Sequence, residues 1–157
     1  MILNRQRAVR VAQRPLQLFL DRVRRELGLD EADLTICLVS DAEIARMNQV
    51  YRKKKGPTDV LSFPAIERSR PAVLRRFSSR STQHTRRHPG PPSFLGDIAI
   101  APSVARRNAR RLDRTFPSEL QILILHGVLH LLGYDHETDR GQMDRVETRL
   151  RRKLGLT

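Results

Sequence analysis

The sequence predicts an α+β fold: a small mixed sheet of about four strands, one of them antiparallel, flanked by helices. Three observations predict it. Apolar residues recur at helical spacing in several separate segments, and short β-branched runs closed by proline lie between them. One helical segment is apolar on nearly every side, as suits a helix packed centrally against a sheet. A length of 157 residues is in the range of one globular domain, so positions 1–157 read as a single unit closing one core.

Met1 to Arg5 is expected to supply a first strand. Leu16, Phe19, Leu20, Val23 and Leu27 then mark an amphipathic helix, with Pro15 at its first position and Gly28 as its stop. Leu34 to Val39 is a short apolar run with β-branched members, the pattern of a strand covered on both faces. Ser40 and Glu43 form a capping box that opens a helix carrying Ile44, Met47 and Tyr51 on one side. Thr58 to Phe63 and Asp97 to Ala101 read as two further strands, closed by Pro64 and Pro102. A basic helix with Arg106, Arg107, Arg110 and Arg111 on neighbouring positions follows Pro102. Pro117 opens a long helix that stays apolar to Leu132 and ends at Gly133. Asp139 caps a last helix whose Met143, Val146 and Leu150 face inward, with Arg151, Arg152 and Lys153 near the negative end of its dipole.

Composition narrows the function classes. Lys and Arg number 30 against 17 Asp and Glu, a formal charge of +13 that attracts a polyanion, with nucleic acid favoured over a merely solvated basic surface. The segment from Glu67 to Pro92 concentrates Arg, Ser and Pro without sustained periodicity. It reads as a mobile basic loop at about 67–92, either a nucleic-acid-contacting arm or a tolerated insertion, and its His84 and His88 are not expected to be ligands. Cys37 is the single cysteine, which rules out an intrachain disulfide and a thiolate cluster and fits a reducing cytoplasm. Arg5, Arg7 and Arg10 are followed by no apolar run, so no secretory signal is expected. Leu120 to Leu132 falls short of the roughly 20 apolar residues of a membrane span.

The chemistry is concentrated at the end of the long helix. His126 and His130 stand four residues apart, so both imidazoles project from one face and reach the same metal ion. Gly133 allows the chain to fold back and bring His136 to the same point. Three nitrogens with a fourth position open to water are the ligand set of a catalytic zinc, expected at one ion per chain on a zincin-like central helix. The alternative is a set of hydrogen-bonded histidines without metal. Zincin peptidases carry a glutamate general base directly after the first histidine. Gly127 stands there, which argues against peptide hydrolysis.

The block from His126 to His136, read His-Gly-Val-Leu-His-Leu-Leu-Gly-Tyr-Asp-His, resembles the signature of the YbeY family. Asn48, Tyr51, Arg52 and the run Pro57-Thr58-Asp59-Val60-Leu61-Ser62-Phe63-Pro64 resemble its second hallmark, and Leu95-Gly96-Asp97-Ile98 a third. The order of the blocks is also the family's, while the segment from Glu67 to Pro92 is longer and more positive than its usual loop. The resemblance implies a cytoplasmic, metal-dependent endoribonuclease acting on single-stranded RNA. It further implies roles in maturing the 3′ end of small-subunit ribosomal RNA and in ribosome quality control, with the small ribosomal subunit as partner. Arg52 is the expected cation for the phosphate, against the plainer reading of a surface arginine after a helix. Asp59, Asp97 and Asp135 are candidates for orienting ligands or loops, and Arg106, Arg107, Arg110 and Arg111 for binding RNA. A non-catalytic, zinc-fastened ribosome assembly factor is the rival reading, and a zincin-type peptidase the weaker one.

Overall fold

The computed structural model describes residues 1–65 and 94–156, so the expected basic loop at 67–92 lies outside the described residues. The elements run β1 (Ile2–Asn4), α1 (Gln13–Glu26), β2 (Asp33–Leu38), α2 (Asp41–Arg52), β3 (Val60–Pro64), β4 (Phe94–Ile100), α3 (Pro102–Arg111), α4 (Phe116–Leu131) and α5 (Gln142–Leu154). The sheet order is β1-β2-β4-β3. β1, β2 and β4 pair in parallel, and β3 lies antiparallel to β4 at the edge. The fold is therefore α+β, with the expected strand number and one antiparallel member.

Strand alternation divides the apolar side chains between two layers. Leu34, Ile36, Leu38, Ile98 and Ile100 join the larger core with α1, α4 and α5. Cys37, Val39, Leu61, Phe63 and Ala99 face α2, meeting Ile44 and Met47. β2 and β4 are thus covered on both faces, as the continuous apolar run of β2 from Leu34 leads one to expect. Burial pushes the Cys37 thiol up to about 11, with the Asp97 carboxylate adding to the shift, so Cys37 is a packed apolar residue rather than a reactive thiol.

Several boundaries differ from the sequence expectation, β3 among them, which runs Val60–Pro64 rather than Thr58 to Phe63, and three of the differences have a clear local reason. α1 begins at Gln13, which makes Pro15 its third residue, and the ring is tolerated because the first four helical N–H groups have no intrahelical partner. β4 begins at Phe94, three residues earlier than the apolar pattern, because Leu95 is a bulge: Asp33 pairs with Phe94 and Leu34 with Gly96. Gly96 takes φ +146°, and a Cβ there would lie 2.3 Å from the Phe63 carbonyl oxygen, so only glycine lets the edge strand approach this closely. At α5 the N-cap position belongs to Gly141, yet Asp139 still supplies the capping oxygens, accepting from Gly141 N and Met143 N at 2.8 Å each.

α4 sits on the sheet at close range. Its Thr115 cap accepts from Ser118 N at 3.2 Å, and Ser62 Oγ of the edge strand donates to the Gly127 carbonyl at 3.1 Å. A Cβ on Gly127 would lie 2.8 Å from Ile98 Cγ2, so a side chain at this position would start against the sheet. Gly127→Glu is expected to cost more than about 3 kcal/mol, the sum of overpacking and a buried carboxylate without a partner. Denaturant unfolding of that variant is the check, and parental stability would show that α4 can lift from Ile98.

Candidate metal centre

The helical repeat and the turn after α4 build the centre. His126 and His130 project from one face of α4, with ring centroids 4.7 Å apart. Gly133 takes φ +96°, Gly133 N donates to the His130 carbonyl at 3.0 Å and Tyr134 N to that of Leu129 at 3.2 Å, and the chain turns back at once. His136 thereby arrives with its ring centroid 5.6 Å from that of His126 and 5.4 Å from that of His130. One ring nitrogen from each of the three lies within 4.8 Å of the others.

The donor set fits a metal ion. His126 Nε2 and His130 Nε2 are 3.1 Å apart, close to the roughly 3.3 Å between two nitrogens of a tetrahedral zinc with bonds of about 2.05 Å. Burial, then the neighbouring His126 and His136, lower the pKa of His130, while the Tyr134 backbone and Asp135 act in the opposite direction. A lowered value leaves its imidazole neutral, the form that ligates.

Glu147 of α5 is not among the residues the sequence reading singles out, yet its carboxylate lies 3.0 Å from His126 Nδ1, and Arg151 donates to its other oxygen. Burial alone would raise its pKa, but the hydrogen bonds with His126 and Arg151 and the Arg151 charge outweigh that effect and hold it below the usual range. A signal was present in the pattern. Met143, Glu147, Leu150 and Leu154 are all buried on α5, so a carboxylate occupies a position where apolar spacing calls for a hydrophobe.

The three histidines lie in a cleft of about 580 Å³ whose other walls come from β3, the end of α2 and the turn after α4. Arg52 lines this cleft from the last turn of α2, with Nη2 2.9 Å from Glu137 Oε1 in an exposed pair. Asp59 also lines it, accepting from Val60 N at 2.8 Å and from Asn108 Nδ2 at 3.1 Å. Asp135 lines the cleft too, and its Oδ1 accepts from Glu137 N at 3.0 Å, shaping the turn that carries His136. Asp97 is buried on β4, opposite Phe63 and Thr35 in the register. The arginines of α3 are exposed while Ala105 and Ala109 pack inward. Arg107 pairs with Asp41 at 3.0 Å and Arg111 reaches Asn108 Oδ1 at 3.5 Å. Through Asn108 and Asp59, the basic helix is joined to the cleft wall.

Asp139 governs where the turn meets α5. The Met143 N–H, above all, lowers its pKa; burial opposes it, and the N–H groups of Gly141 and Gln142 and the Arg145 charge add to the lowering. A depressed folded-state pKa contributes stability that is complete above the unfolded value of roughly 3.9 and is lost as pH falls through the folded one. Asp139→Asn is expected to melt below the parental protein at neutral pH, with the gap closing in acid. Melting curves from pH about 7 to about 2 measure this, and a gap of constant size would exclude it.

The sequence profile of the family described as "Endoribonuclease YbeY" matches residues 1–155. The chain is 41% identical over 151 residues to Endoribonuclease YbeY of Solibacter usitatus, covering 96% of this chain and 85% of that protein. It is 36% identical over 156 residues to the protein of that name from Koribacter versatilis, covering 99% and 86%. In three dimensions it is similar to the solution structure of TM1509 from Thermotoga maritima, with a TM-score of 0.60 at 26% identity, covering 98% of this chain and 89% of that one. Among the described residues no helix is long and apolar enough to cross a membrane. With the profile spanning almost every residue and relatives more than one-third identical along it, the chain belongs to the YbeY family.

Proposed function

We propose that this protein is a zinc-dependent endoribonuclease that cleaves single-stranded RNA in the cytoplasm. Its proposed roles are maturation of the 3′ end of small-subunit ribosomal RNA and ribosome quality control, with the small subunit as partner. The observation that carries this reading is the convergence of three imidazoles in an open cleft beside Arg52. When bound, zinc supplies Lewis acidity toward a phosphoryl oxygen and lowers the pKa of water. His126, His130 and His136 would hold the ion, each through one ring nitrogen, at the wall of the cleft. Arg52 offers a planar fork of donors to phosphate oxygens, where negative charge grows during cleavage. Its ion pair with Glu137 is exposed and worth at most about 1 kcal/mol, so a phosphate can take the place of the carboxylate. Arg106, Arg107, Arg110 and Arg111 extend a cationic surface for the RNA backbone, and Asp59, Asp97 and Asp135 hold the surrounding strands and turn. A cleft favours catalysis over a purely structural zinc, which would need a fourth protein ligand.

The test is cleavage of one RNA in single-stranded form and as its duplex, with product ends identified. Cutting confined to the single strand is expected. Equal cutting of the duplex would remove the strand specificity, and binding without cutting would leave the assembly-factor role. The end groups reveal the nucleophile: a cyclic phosphate marks attack by the ribose 2′-hydroxyl, and a simple phosphate marks attack by water.

A further inference from the structure

We infer that Glu147 is a positioning residue for the metal centre, fixing His126 with its proton on Nδ1 so that Nε2 faces His130 and His136. The inference rests on the reading that these three histidines hold zinc. Geometry carries it. Glu147 Oε2 lies 3.0 Å from His126 Nδ1, while His126 Nε2 lies 3.1 Å from His130 Nε2 on the opposite edge of the ring. A carboxylate oxygen only accepts, so the nitrogen facing it is the donor and the far nitrogen, beside His130, is the one left for a metal.

The placement of Glu147 also calls for a role. It is 6% exposed, on the face of α5 that buries Met143, Leu150 and Leu154, where a hydrophobe would pack without the cost of desolvating a charge. Its oxygens are divided between two partners, with Oε2 at His126 and Oε1 accepting from Arg151 one helical turn on. Arg151 can only donate, so it fixes the carboxylate from one side as His126 meets it from the other. α5 thus acts as a brace for a ring on α4, across a distance of 21 residues in the chain.

Glu147→Gln is the discriminating variant because it preserves shape and removes one acceptor. Arg151 requires the amide oxygen, which turns the NH₂ group toward His126 Nδ1 and forces the ring proton onto Nε2, the nitrogen needed for metal. Zinc affinity, measured with zinc alone by competition against a chromophoric chelator, is expected to weaken on the order of ten- to a hundredfold. The melting temperature of the metal-free variant checks that its fold is retained. Nitrogen-15 NMR of the metal-free parental protein gives a reading that needs no variant: His126 is expected as the Nδ1-protonated tautomer. Zinc affinity of a folded Glu147→Gln protein within twofold of the parent, or an Nε2-protonated His126 in the parent, would overturn the inference. A parental protein that binds no zinc would instead overturn the reading on which it rests.

Discussion

Alanine in place of His126, His130 or His136 is expected to abolish both zinc retention and RNA cleavage while leaving the fold intact. Two imidazoles cannot complete the set that holds a catalytic zinc, and apparent binding energies for zinc sites of about 10–16 kcal/mol leave a large loss to be seen. The helix tolerates the change, because alanine has the highest helix propensity. None of the three rings is fully buried: His126 and His130 are half-buried and His136 is exposed, so truncation opens no large core cavity. Elemental analysis of the purified variants, with circular dichroism as the control for folding, measures the effect. Full metal content in all three variants would mean that the ion sits elsewhere.

Arg52→Ala is expected to lower single-turnover cleavage on the order of a hundredfold, or about 3 kcal/mol, without changing zinc content. Arg52 ends α2 and pairs with Glu137 in an exposed contact, so its loss removes a charge and that pair without touching a metal ligand. Arg52→Lys is expected to restore activity only in part, since an ammonium cannot match the guanidinium fork. A saturating protein concentration separates chemistry from binding. Cleavage by Arg52→Ala at the parental rate under those conditions would assign Arg52 to binding or to the Glu137 contact alone.

The regular elements were legible wherever one physical rule dominated. The i, i+4 spacing of His126 and His130 and the glycine stop at Gly133 needed no tertiary information to place two rings on one face and turn the chain. The double-sided burial of β2 was written in its continuous apolar run from Leu34. What the sequence hid depends on contacts between distant segments. Leu95 and Gly96 carry no strand pattern because a bulge and a close approach to Phe63 govern them. Glu147 is easily passed over as one of many surface charges on a helix bearing Asp144, Arg145, Arg149 and Arg152, although its spacing from Met143, Leu150 and Leu154 is that of the apolar face. Only the packing of α5 against α4 brings it to His126. Gly127 shows the same limit: the missing glutamate was plain, but the reason this position has no room for one lies in Ile98.

The metal centre is tested most directly by titrating zinc into the metal-stripped protein and following cleavage of a single-stranded RNA. A centre of three imidazoles predicts no cleavage by the stripped protein and a rate that rises to a plateau at about one zinc per chain. Cleavage by the stripped protein at the rate of the loaded one, or a plateau reached only at two or more ions per chain, would contradict it.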